Sequence, residues 1–215
     1  MNKDILEKGI KISYAAAGWT VAGAVAALAA GAVAGSIALI AFGLDSVIAG
    51  TAAGMLVLRL RSKRAEPAAV LADSVPAGKT RFVFGVSFFL VALYLLNESA
   101  SRLYYGEKPE TSLAGIVLAV LTLVVMIVIT IMNLRLASAP ELGPFRDQAR
   151  ETAVRGFLSL ILLVGLGLHV LYGWWWADPA AVLVMIPVII REGWTAIEAS
   201  KESGRDGMSG TRTPD

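Results

Sequence analysis

Apolar residues run in long blocks separated by short polar stretches, on a length scale set by a bilayer. From Ile12 to Leu58 the only charged residue is Asp45. As one straight helix that stretch would extend about 70 Å at ~1.5 Å per residue, more than twice a hydrocarbon core, so it must fold back once. Gly31, Gly35 and Ser36 mark the turn. The same pattern predicts six spans, at 13–33, 36–58, 82–104, 111–134, 150–172 and 178–197, each near the ~20 residues a crossing needs. Polar connections lie between them at 60–80, 106–112 and 135–149, the first holding Arg61, Lys63, Arg64, Pro67, Pro76 and Lys79. The fold class expected is all-α, a polytopic bundle of six transmembrane helices occupying 1–199. Residues 200–215, rich in Ser, Gly, Thr and Lys, are expected to form a disordered cytoplasmic tail.

Basic residues orient the bundle. Lys3, Lys8 and Lys11 precede the first span; Arg59, Arg61, Lys63, Arg64, Lys79 and Arg81 flank the second connection; Arg135, Arg146 and Arg150 flank the fourth; Lys201, Arg205 and Arg212 follow the last span. The other side has little beyond Arg102 and Lys108. The positive-inside bias therefore predicts both termini in the cytoplasm. Tyr104-Tyr105 and Trp174-Trp175-Trp176 then fall at the outer interface, and Trp194 near the inner one, where amphipathic rings settle. The first two spans are rich in Ala and Gly, which lets helices approach closely in lipid. Lys3, Lys8 and Lys11 before an alanine-rich run resemble a signal peptide, but no polar cleavage region follows, so the run is read as a first span.

Composition agrees: 56% of the chain is hydrophobic and 17% charged, with a mean hydropathy of +0.68. The net charge of +2 is spread over block edges with no basic patch, which argues against nucleic acid as a partner. There is no cysteine, so disulfides and thiolate metal sites are excluded. The chain has no P-loop, no HExxH, no Gly-x-Ser-x-Gly and no second histidine beside His169, so an enzyme is not expected, nor an ATP-driven pump.

Charge inside hydrocarbon is costly, and each such residue is a candidate site. Asp45 is the sharpest: a carboxylate there must be protonated, paired or ligating an ion. A neutral acid hydrogen-bonded to a neighbouring helix is the plainer alternative. Glu98 and Arg102 are spaced i,i+4, as are Glu151 and Arg155, and both spacings suit ion pairs. Glu151 equally suits a ligand facing Asp45. His169 is read as an interfacial packing residue, and Arg191-Glu192 as a pair reaching to the inner interface. Pro179 suits a helix start, and Pro187 could kink the last span.

The run Gly35-Ser-Ile-Ala-Leu-Ile-Ala-Phe-Gly-Leu-Asp45-Ser-Val-Ile resembles the second span of the cation diffusion facilitators, or cation efflux proteins. Val86-Ser-Phe-Phe-Leu, Gly106-Glu-Lys-Pro-Glu, Gly173-Trp-Trp-Trp-Ala-Asp-Pro179 and Arg191-Glu-Gly193 extend the resemblance over residues 15–195. It is nearest to the short bacterial branch without the cytoplasmic C-terminal domain, and is similar to transmembrane protein 163. The resemblance implies a six-helix, dimeric exporter of zinc or related divalent ions driven by proton exchange, in a bacterial inner membrane. It also implies a transport site of acidic or histidine ligands paired at i,i+4 on the second and fifth helices, a spacing that puts two donors on one face. Here Asp45 and Glu151 keep donors. Ala49 and Arg155 stand where further ligands are expected, and Gln148 where an aspartate is usual.

Three functions follow. The first is a proton-coupled secondary transporter of a divalent ion, zinc or manganese, with Asp45 and Glu151 as metal ligands, Arg155, Gln148 and Glu98 as modulators and no tightly bound cofactor. Two carboxylates without histidine favour harder ions such as Mn²⁺. The second is a non-transporting interaction protein whose Asp45, Glu151 and Arg155 form an ion-pair network in place of the metal. Export of a small organic cation is the third. Arg155 directly against Asp45 favours the second reading; an open acidic cavity favours the first.

Overall fold

The computed structural model describes residues 3–64, 77–136 and 143–209, with side chains over most of 11–51 and 81–135, at 146 and over 149–201. Six helices are present: α1 (Lys3–Ala34), α2 (Ile37–Arg64), α3 (Ala77–Tyr105), α4 (Leu113–Leu136), α5 (Gly143–Tyr172) and α6 (Ala177–Ser209). Among the described residues there is no strand. Four expected spans lie inside one helix each, 36–58 and 111–134 begin one and two residues before theirs, and most helices continue past the expected end. α5 begins at Gly143 inside the expected fourth connection, and α6 runs to Ser209, into the segment whose composition suggests a tail. Lipid explains the match: without water, a spanning backbone must satisfy its own hydrogen bonds, so every apolar block becomes helix. Five helices hold windows long and apolar enough to cross a membrane, and α2 contributes the apolar stretch Ile37–Thr51. The chain is a multi-pass membrane protein.

The helices that run toward the α1–α2 turn all stop in the same way. Gly35, Gly106 and Gly173 follow α1, α3 and α5 with φ of 61°, 68° and 68°, the left-handed conformation that closes a helix C-terminus and that glycine adopts without strain. Their neighbourhoods carry the matching backbone bonds, Ser36 N to Gly31 O, Glu107 N to Arg102 O and Gly173 N to His169 O. The aromatic residues gather at that end: Tyr104 meets Tyr105 edge-on, and Trp174 stacks on Trp176 with centroids 5.1 Å apart.

The helices pack mainly as α1 with α2, α3 with α6 and α4 with α5, while α2 also meets α3, α5 and α6. α2 is accordingly the most enclosed. Ile37, Ala38, Leu39, Ala41, Phe42, Asp45, Ser46 and Ala49 are all buried. Large apolar side chains such as Val25, Leu90, Leu93 and Val124 face outward, as expected when the surrounding solvent is hydrocarbon. Two contacts depend on a missing side chain. A Cβ at Gly43 would stand 2.7 Å from Leu28 Cγ on α1, and one at Gly85 would stand 2.8 Å from the Gly193 carbonyl oxygen on α6. These helices touch backbone to backbone.

Candidate functional site

Asp178, the second residue of α6, is fully buried and reaches across to the start of α2. Its carboxylate accepts hydrogen bonds from the Ser36 hydroxyl, from Ile37 N at 2.8 Å and from Ala38 N at 3.4 Å. It thus caps a helix some 140 residues earlier in the chain, placing a negative group where the free N–H groups and the positive dipole end lie. Close by, Arg102 bonds Glu98 at 2.9 Å and the Gly35 carbonyl. The expected Glu98–Arg102 pair is therefore present, and it fastens the α1–α2 turn to α3. Neither residue is among the groups within electrostatic range of Asp45.

Asp45 sits eight residues further along α2, roughly 12 Å below the cap by helical rise. It has no exposed surface, and neither carboxylate oxygen receives a hydrogen bond from any N–H or hydroxyl. Three ionisable groups lie within electrostatic range of it: Glu192 from α6, and Arg155 and Glu151 from α5. Arg155, 4% exposed, directs its head group elsewhere. It donates to Thr20 Oγ1 on α1 at 2.8 Å and to Glu151 Oε1 at 2.7 Å, leaving Nε without an acceptor. Thr20 is held by its own bond to Ala16 O at 2.8 Å, so this tether joins α1 to α5.

The sequence reading of Glu192 as an interfacial residue is corrected here. Arg191 is exposed, whereas Glu192 is half-buried and lies within electrostatic range of Asp45. The signal that could have found it is helical period: Asp178, Val182, Met185 and Ile189 form the buried stripe of α6, and the next position on it is Glu192 or Gly193. Glu151 keeps its i,i+4 partner and is 41% exposed at the side chain, so of its two expected roles the ion pair is the one formed. Ala49 is buried and supplies no donor. The side chain of Gln148 lies outside the described residues. His169, in the last turn of α5, is well away in sequence and register, its Nδ1 buried without a partner.

The space beside this cluster is closed. A void of about 10 Å³ lies among Trp19, Thr20, Phe42, Ser46, Thr122 and Arg155, no more than one water's room. Among the described residues no three Asp, Glu or His side chains gather into a metal-binding group. The arrangement is thus neither of the two foreseen. Among the described residues no open acidic cavity lies beside Asp45, and Arg155 is bonded to Thr20 and Glu151. What the cluster can do chemically is hold positive charge: three carboxylates face one guanidinium, deep in hydrocarbon.

The family model for the cation efflux transmembrane domain matches residues 80–203, more than half of the chain. Glu151, Arg155 and Glu192 lie inside that match and Asp45 outside it. The chain is similar to a cadmium, cobalt and zinc/H(+)-K(+) antiporter of Bacillus velezensis, 25% identical over 128 residues, which are 59% of this chain and 39% of that relative.

Proposed function

The chain belongs to the cation efflux family, and on that premise we propose that it moves a divalent metal ion across the membrane by alternating access at Asp45. Members of this family transport and are not enzymes, and cation efflux is the activity the family match and the antiporter relative support. The observation that carries the proposal for this chain is Asp45 itself: fully buried, both oxygens without a donor, beside further carboxylates. An anion so placed is held only by a proton or a cation. The closed surroundings then correspond to one state of the cycle, and Glu151, released from Arg155, is the ligand expected from α5 in another. The finer parts are zinc or manganese as cargo, inward protons exchanging at the same carboxylates, a homodimer and termini in the cytoplasm. They rest on the resemblance, the donor chemistry and the placement of basic residues.

A second reading is favoured by Arg155. Its buried guanidinium supplies a fixed positive charge beside the carboxylates, as a site converted from transport to structure requires. Flux into proteoliposomes under a proton gradient separates the two. The transporter reading expects saturable Zn²⁺ or Mn²⁺ uptake that Asp45→Asn abolishes. Absence of flux for every divalent ion, from protein shown to be folded, leaves the interaction protein.

A further inference from the structure

We propose that the void between α1, α2, α4 and α5 is a binding site for a single ordered water molecule, held by Trp19, Thr122 and Arg155. The site stands whether or not the chain transports an ion. Three buried side-chain atoms here find no hydrogen-bond partner in the protein: the indole Nε1 of Trp19, the hydroxyl of Thr122 and Nε of Arg155. All three residues line the same void of about 10 Å³, roughly the room one water-sized sphere occupies. Thr122 is 2% and Arg155 4% exposed, so neither turns to solvent for a partner.

Donor chemistry selects the occupant. An indole N–H and a guanidinium N–H only donate, so they cannot satisfy each other. Whatever joins them must accept two hydrogen bonds, while a hydroxyl can either give or accept. A water molecule meets all three demands. Its oxygen accepts from Trp19 and Arg155, and one of its protons goes to Thr122 Oγ1. That makes about three hydrogen bonds, the usual number for a buried water. A metal cation is refused, because two of the three groups present it only with N–H. A halide accepts as water does but needs more room than one water.

Gly23 shows that the space is there. It is buried on α1 and lines the void, yet a Cβ added to it would meet no neighbouring atom within 4 Å. Elsewhere along the α1–α2 contact there is none to spare: a Cβ at Gly31 would stand 2.9 Å from Ile40 Cγ1. The water also completes Arg155. Its guanidinium already donates to Thr20 at 2.8 Å and to Glu151 at 2.7 Å. With Nε on a water that Thr122 shares, one side chain ties α1, α4 and α5 together.

Gly23→Ala separates a hydrated void from a dry one by sign. In a dry void the new methyl fills space and the helix gains propensity, so Tm should rise. In a hydrated one the methyl displaces the water and strands three polar atoms, so Tm should fall by about 4–10 °C. Thr122→Val keeps the shape of the side chain. It should lower Tm in wild type but not in the Gly23→Ala background, where the partner it loses is already gone. Radiolytic hydroxyl-radical labelling of the full-length protein in detergent reads the water directly. Met126 lines the void and is 2% exposed, so a radical formed from the bound water should oxidise it. Met185, 1% exposed and not lining the void, should stay unmodified. In Gly23→Ala, labelling of Met126 should fall to the level of Met185. The wild-type comparison of the two methionines carries the test if Gly23→Ala does not fold. A Tm unchanged or raised in Gly23→Ala, or a wild-type Met126 as unreactive as Met185, overturns the site.

Discussion

Replacing Asp178 by alanine should destabilise the bundle far more than its position at a helix end suggests. The substitution removes an acceptor from the Ser36 hydroxyl, Ile37 N and Ala38 N together, at a site where Ser36 and Ile37 have no exposed surface to offer water instead. Loss of a helix cap costs about 1 kcal/mol, up to about 2. A carboxylate at a partly buried helix N-terminus contributes about 0.3–2 kcal/mol, and a buried N–H left without a partner costs about 1–3 kcal/mol. These contributions overlap, and together they give about 2–4 kcal/mol, or a fall in Tm of roughly 5–15 °C for a chain of this size. Asp178→Asn keeps an acceptor for Ile37 N and loses the charge, so about half the effect should remain. Thermal unfolding of the detergent-solubilised protein, followed by loss of the monodisperse peak on size exclusion, measures both. The Ser36→Ala, Asp178→Ala double variant should fall well short of additivity, because both changes break the same bond. An Asp178→Ala protein melting within about 2 °C of wild type, or strict additivity in the cycle, would refute the cross-chain cap.

Two further outcomes follow from contacts described above. Gly85→Ala should lower thermal stability by about 1–3 kcal/mol, the usual cost of overpacking, because its Cβ meets backbone that cannot rotate away; an unchanged melting profile would mean that α3 and α6 do not touch there. Arg155→Gln should lower the KM for Mn²⁺ by about tenfold, the factor for removing about 1.4 kcal/mol of repulsion between a fixed charge and the cargo, and a KM unchanged or raised in folded protein would show that Arg155 does not oppose the ion.

Much of the fold was legible because lipid imposes one rule on every segment. An apolar block of crossing length has no stable form but a helix, so the six spans could be read from composition alone, while their extensions beyond the bilayer could not. Asp45 was legible for the same reason, as the one charge in its block. The Glu98–Arg102 and Glu151–Arg155 pairs followed from spacing, which fixes a shared face within one helix. What stayed hidden depends on partners distant in sequence. Asp178 reads as the start of its own helix, since Pro179 follows it, yet its acceptors serve α2. Glu192 stands beside Arg191 near a helix end, where both look interfacial. Only the packing of the folded bundle separates them, leaving Arg191 exposed and Glu192 half-buried. The Arg155–Thr20 bond likewise joins α5 to α1 across a distance no spacing rule covers.

The cap at Asp178 also makes a pivot. α2 and α6 leave that point together, and Asp45 and Glu192 lie about 12 Å and 21 Å along their respective helices from it, at ~1.5 Å per residue. The two helices behave as scissor arms pinned at one end. Opening the crossing angle by about 10° would move the α6 backbone at Glu192 by roughly 3–4 Å. A tilt small enough to leave every helix intact thus shifts the far part of α6 by the length of a side chain, while the pinned ends stay together.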